Sequence, residues 1–116
     1  MENAERFFSR IDKGEFEIAV ELGGRSEDGI KRFVRGFDVM DVTDTLVRIS
    51  LHHGDLNYHR LHGRYEKGRI VYSNTYADEE LRKIRERVIG RNKGDSLVYF
   101  NNSNMRADSK HFRATL

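Results

Sequence analysis

Phe16-Glu17-Ile18-Ala19-Val20-Glu21-Leu22, followed by Gly23-Gly24, is the stretch on which the reading of the fold turns. Phe16, Ile18, Val20 and Leu22 alternate with Glu17, Ala19 and Glu21, the two-residue period of a strand with one apolar face. The glycine pair breaks the strand. Ser26 then offers an N-cap, and Ile30, Phe33, Val34 and Phe37 recur at helical spacing. Val39-Met40-Asp41-Val42 follows as a second short strand, so the chain alternates strand, helix, strand from here.

The same alternation extends outward. Upstream, residues 3–11 place Phe7, Phe8 and Ile11 on one helical face, and Gly14 ends that segment. Downstream, residues 45–54 read as a long connection. Leu56 to His62 reads as a third strand closed by Gly63, and residues 64–76 as a loop holding Tyr65, Tyr72 and Tyr76. Asp78 caps a helix whose buried stripe is Leu81, Ile84 and Val88. Its exposed face carries Asp78/Arg82 and Glu79/Lys83 pairs with the acid first, the favourable order. Gly90 and Gly94 mark its end. Leu97 to Asn101 is a fourth strand, and Met105 to Thr115 a last helix presenting Ala107, Phe112 and Leu116. Strands separated by helices predict an α/β fold with a four-stranded parallel sheet and right-handed crossovers, in one domain spanning residues 1–116.

Composition bounds the function. The 116 residues carry 37% apolar and 34% charged side chains with a net charge of +2, too small to argue by itself for a nucleic-acid or membrane partner. Without cysteine, disulfides and thiolate metal sites are excluded. No apolar run approaches the ~20 residues of a membrane span, and Met1-Glu2-Asn3-Ala4-Glu5-Arg6 does not read as a signal peptide, so a cytoplasmic protein is expected.

Several stretches carry a family resemblance. They are Arg60-Leu61-His62-Gly63-Arg64, Tyr76-Ala77-Asp78-Glu79-Glu80-Leu81, Tyr99-Phe100-Asn101-Asn102, and Met105, Ala107, Asp108 and Phe112 in the last helix. In order and spacing these resemble the C-terminal half of the domain-of-unknown-function 72 family. That resemblance implies half of a TIM-type (β/α)8 barrel, with four strands. Val20-Glu21-Leu22-Gly23-Gly24-Arg25 stands where the family has a Trp-Glu-Pro-Arg-Gly-like strand end, and Asp44-Thr45-Leu46 where it has Asp-Pro-Phe. A half barrel leaves strand edges and an inner face uncovered, so a homodimer is expected.

In such barrels the sites lie at the C-terminal strand ends. The candidates are Glu21 and Arg25, Asp41 and Asp44, Arg60, His62 and Arg64, and Asn101 and Asn102, with Tyr65 and Tyr76 nearby. His62 suits a general base, with Glu21 or Asp41 orienting it. Arg60, Arg64, Asn101, Asn102 and Tyr76 suit binding of an anionic small molecule, the arginine forks gripping phosphate or carboxylate. Each has a plainer reading: Glu21 beside Arg60 as a structural ion pair, His62 as a strand cap, Asn101-Asn102 as turn chemistry.

No cofactor is implied and no metal is assigned. His52, His53, His59 and His62 fall close together, but His59 and His62 face opposite sides of a strand, and a zinc site would depend on carboxylates such as Asp55. Arg60, Arg64, Lys67 and Arg69 around Tyr65 and Tyr72, continued by Arg82, Lys83, Arg85, Arg87, Arg91 and Lys93, resemble a single-strand nucleic-acid surface. Interleaved acids make a solvated face the preferred reading. Two classes of function stay open. One is an anion-binding site, with hydrolysis or transfer on a phosphorylated substrate if it is an enzyme. The other is a non-catalytic interaction module, acting through dimerisation or single-stranded nucleic acid.

Overall fold

The structure is a computed structural model describing residues 2–51, 54–90 and 94–116. In chain order the elements are α1 (Glu2–Arg10), β1 (Ala19–Glu21), α2 (Glu27–Phe37), β2 (Met40–Val42), β3 (Leu56–Leu61), β4 (Arg64–Glu66), β5 (Arg69–Val71), α3 (Asp78–Ile89), β6 (Asp95–Phe100) and α4 (Met105–Ala114).

The strands do not form the expected four-stranded parallel sheet with a helix in every crossover. They form three two-stranded sheets: β1 with β2, β3 with β6, and β4 with β5. The first two are parallel, with Glu21 opposite Val42 and Leu61 opposite Phe100. Between β2 and β3 there is one isolated parallel bridge, Thr43 to His59. The half-barrel expectation is corrected with it. The reason is local. After Thr43 the chain turns at Asp44, whose carbonyl accepts from Val47 N and Arg48 N and whose Oδ1 accepts from Leu46 N at 3.0 Å. That side-chain-backed turn draws the chain away before a ladder to β3 can form. None of the described residues between β2 and β3 is helical.

The expected loop at 64–76 contains instead an antiparallel hairpin, with Tyr65 opposite Ile70. Lys67 and Gly68 at its tip both have positive φ, the geometry that two-residue hairpins favour. The other elements form near where the sequence places them; the first three expected strands are shorter, and the last runs Asp95–Phe100 rather than Leu97–Asn101. Only Ala19–Glu21 of the alternating run is in a ladder, because β2 offers three residues to pair with.

Two apolar clusters hold the chain together. In the first, Ile30, Phe33 and Val34 of α2 and Val39 are buried, with Phe8 of α1 and Ile18, Val20 and Leu22 packed on them. Phe8 meets Phe33 edge-on at 5.4 Å, whereas Phe16, expected on the same face, is exposed. Ser26 caps α2 by accepting from Gly29 N at 3.1 Å. The second cluster joins Leu61, Phe100, Leu81, Ile84, Val88, Tyr76 and Phe112. It packs α3 and α4 against one face of the β3–β6 ladder. In α4 the residue that turns inward beside Phe112 is Asp108, not Ala107.

No helix among the described residues is long and apolar enough to cross a membrane.

Candidate functional site

The parallel strands end side by side, and four polar residues sit at those ends: Glu21 closing β1, Asp44 just past β2, His62 just past β3 and Asn101 just past β6. Glu21, His62 and Asn101 form one chain of contacts. His62 Nε2 lies 2.5 Å from Glu21 Oε1, and Asn101 Nδ2 lies 3.3 Å from His62 Nδ1. With the amide donating to Nδ1, the ring proton sits on Nε2 and is given to Glu21. Arg60 reaches the other carboxylate oxygen, Nη1 to Oε2 at 3.1 Å. Glu21 therefore joins a cation and an imidazole. Of the two expected partners for His62, it is the one that is present.

Asp41 is elsewhere. Its side chain is fully buried and held by the Arg48 fork, Nη1 to Oδ2 at 2.6 Å and Nη2 to Oδ1 at 2.8 Å. Leu51 N donates to Oδ2 as well, at 2.8 Å. The carboxylate contact raises the Arg48 pKa further above its ordinary value, against the opposing effect of burial. These contacts make Asp41 an anchor for the 45–51 connection. A sequence reading had no signal for this, since Arg48 lies in a stretch without periodicity.

Asp44 supports the site from beneath. Its Oδ2 accepts from His62 N at 3.0 Å, fixing the backbone that carries the imidazole. Burial raises its pKa above the usual carboxylate range, although the backbone donors of His62 and Leu46 pull the other way. Gly63, with φ of +111°, follows at once, and a Cβ there would collide with the Val71 carbonyl oxygen. Its N–H donates to the Tyr76 hydroxyl at 2.7 Å. Tyr76 is buried, and burial drives its phenol pKa strongly upward, so it stays protonated. Tyr76 thus staples the strand end to the start of α3, away from solvent.

Asn102 is likewise inward. Its Nδ2 donates to Asn74 O and to Asp108 Oδ2, both at 2.7 Å. Arg64 is exposed on the hairpin with Glu66 at 3.7 Å, and Tyr72 stands edge-on to the His62 ring at 6.4 Å. Arg25 lies over the Phe33 ring at 5.0 Å. The structure brings Glu21, Arg60, His62 and Asn101 together and gives Asp41, Asn102 and Tyr76 structural partners.

Among the described residues no three His, Cys, Asp or Glu side chains are grouped to hold a metal ion. His59 is buried, with Nδ1 at 2.9 Å from Thr45 Oγ1, and burial lowers its pKa. His52 and His53 lie outside the described residues. So do Arg91 and Lys93 of the basic run. Arg87 of that run turns inward, donating to Thr45 O and Leu46 O at 2.5 and 3.2 Å. A groove of about 440 Å³ lies where the end of α3, β6 and α4 meet, with Val88, Val98 and Phe112 in its wall.

Comparison with family models, with curated proteins and with solved structures finds no match for this chain.

Proposed function

We propose that the strand-end cluster binds a small anion of the phosphate or carboxylate class, with Arg60 as the gripping residue. The observation that carries this is the state of Arg60. Its side chain is 43% exposed, and one guanidinium nitrogen is committed to Glu21. Among the described side chains only Glu21 bonds to the guanidinium, which leaves its other donors for an oxyanion. His62 and Asn101 stand beside it, and Glu21 keeps the local charge near neutral until a ligand arrives.

The same arrangement bears on catalysis. With Glu21 holding Nε2–H, the basic nitrogen of His62 is Nδ1. A substrate hydroxyl or water must replace the long Asn101 contact to reach it. Hydrolysis or transfer on a phosphorylated substrate is the reaction class this order of groups suits.

Titration with inorganic phosphate, followed by amide NMR shifts, tests the binding. Saturable shifts at residues 60–63 and 101, lost in Arg60→Ala, are expected. No shift at tens of millimolar phosphate, or shifts that persist in Arg60→Ala, overturns the proposal. Phosphoester turnover abolished by His62→Ala would extend it to catalysis, and turnover indifferent to that change would remove His62 from the chemistry.

A second reading is a non-catalytic module that self-associates. The shape favours it: the molecule measures 42 × 33 × 22 Å, a flattened body with a large surface for its mass. The resemblance to the domain-of-unknown-function 72 family stands beside both readings as a proposal resting on the motifs quoted above.

A further inference from the structure

One face of the β3–β6 ladder is packed against the helices, and the other is only partly covered. Asn57, His59, Leu61 and Phe100 point to the helix side and are buried. The alternate residues, Leu56, Tyr58 and Arg60 of β3 and Asp95, Leu97 and Tyr99 of β6, share the other face. Leu56, Tyr58 and Arg60 are half-buried there. Leu97 is 40% and Tyr99 48% exposed, and Tyr99 stacks on Tyr58 with ring centroids 4.9 Å apart. Parallel ladders are ordinarily buried on both faces, so this one is missing a layer.

The chain as a whole exposes more surface than its mass calls for. The chain exposes 8076 Å². A compact monomer of 13.6 kDa exposes about 6,600 Å² by the usual scaling, so the excess is roughly 1,500 Å². The radius of gyration is 15.0 Å, against about 13 Å for a compact chain of this length. A stable interface takes roughly 800 Å² from each partner, so a whole-chain surplus of this order leaves room for a partner.

The charge pattern says what fits. Along this face the apolar pair Tyr58 and Leu97 sits in the middle, with Asp95 at the end where the strands begin and Arg60 at the end where they finish. A second copy turned so that its strands run antiparallel sets the Arg60 end, where Glu21 takes one guanidinium nitrogen and leaves the others, against the partner copy's Asp95 end, twice, around an apolar centre. Parallel stacking would bring the two Arg60 ends together and the two Asp95 ends together. Nucleic acid fits less well, because Asp95 and Glu21 lie on or beside the same face.

We infer that the open face of the β3–β6 ladder is the seat of a second copy of this chain, stacked sheet to sheet with strands antiparallel and Tyr58, Leu97 and Tyr99 at the centre. This rests on the self-association reading and adds to it the surface and the orientation. Sheets packed this way lie ~10 Å apart with side chains interleaved.

Light scattering across a concentration series tests it on the full chain, with circular dichroism confirming the fold of each variant. The wild type is expected at twice 13.6 kDa. Leu97→Lys is expected to weaken the dimer at least about 30-fold, as loss of a central anchor does. Met105→Lys, an exposed apolar position off this face, is expected to leave it intact. Asp95→Arg should weaken it, and Arg60→Asp combined with Asp95→Arg should restore it. A wild-type monomer at every concentration overturns self-association altogether. A dimer untouched by Leu97→Lys and Tyr99→Lys overturns the face while leaving self-association standing. A dimer lost on Leu97→Lys but not rescued by the charge exchange overturns the antiparallel orientation. A monomer whose tyrosine fluorescence is quenched by a single-stranded oligonucleotide overturns the inference in favour of nucleic acid.

Discussion

Replacing Arg48 by alanine should cost far more than an arginine of the 45–51 connection ordinarily would. The Asp41 carboxylate has no exposed side-chain surface and takes three donors: two guanidinium nitrogens and Leu51 N. Removing Arg48 leaves one backbone N–H to hold a buried charge. Stranding one member of a buried pair costs about 3–5 kcal/mol, a large part of the 5–15 kcal/mol that holds a domain folded. For a chain of this length that is a fall in Tm of roughly 10–20 °C. Thermal and urea unfolding of Arg48→Ala, Asp41→Asn and the double variant measure it. Because the cost lies in the stranded charge, the double variant should be more stable than Arg48→Ala alone. A loss below about 1 kcal/mol for Arg48→Ala, or a double variant that loses the sum of the singles, would refute the reasoning.

Other consequences are equally direct. Burial holds the His59 pKa below 6.5, so the folded state keeps the ring neutral. Its contribution is then complete above pH 6.5 and is lost as pH falls towards the folded-state value, where the unfolded chain takes the proton first. His59→Asn, which keeps an amide near Thr45, should flatten the stability profile below pH 6.5, read by urea midpoints across pH. Tyr76→Phe removes the oxygen that accepts from Gly63 N and should cost about 1–3 kcal/mol by the same measurement, with the fold retained. Gly63→Ala forces a side chain into positive φ and into the Val71 carbonyl. It should displace the β4–β5 hairpin, seen as amide shifts from residue 63 to residue 72 and a fall in stability of about 2 kcal/mol or more.

The helices were legible because their stripes are unambiguous. Ile30, Phe33 and Val34, and Leu81, Ile84 and Val88, are spaced as one buried face and are buried. Strand existence was legible, but which face of β3 is buried was not: Asn57 and His59 go inward with Leu61, while Leu56 and Tyr58 lie on the other face. Nor does alternation say which strand lies alongside. The sheet was therefore expected to be continuous where the Asp44 turn interrupts it. The hairpin escaped notice because Arg64–Glu66 is exposed throughout and carries no apolar period, although Lys67-Gly68 is a turn signal. At the site, Glu21, Arg60, His62 and Asn101 were readable as strand-end residues. That Asp41 belongs to Arg48, and Asn102 and Tyr76 to Asp108 and Gly63, depends on how loops fold back, for which sequence spacing holds no rule.

The lone Thr43–His59 bridge leaves the two apolar clusters joined by little regular ladder. The joint leans in part on ionic and polar ties: Glu21 to Arg60 and His62, and the Asp44 carboxylate to His62 N. Apolar clusters are largely indifferent to salt and acid, while ties of this kind are screened by one and discharged by the other. The molecule is thus built as two oil drops with an electrolyte hinge. Solvent conditions that leave each half intact can loosen how the halves sit, and with them the strand ends where Glu21, Arg60 and His62 meet.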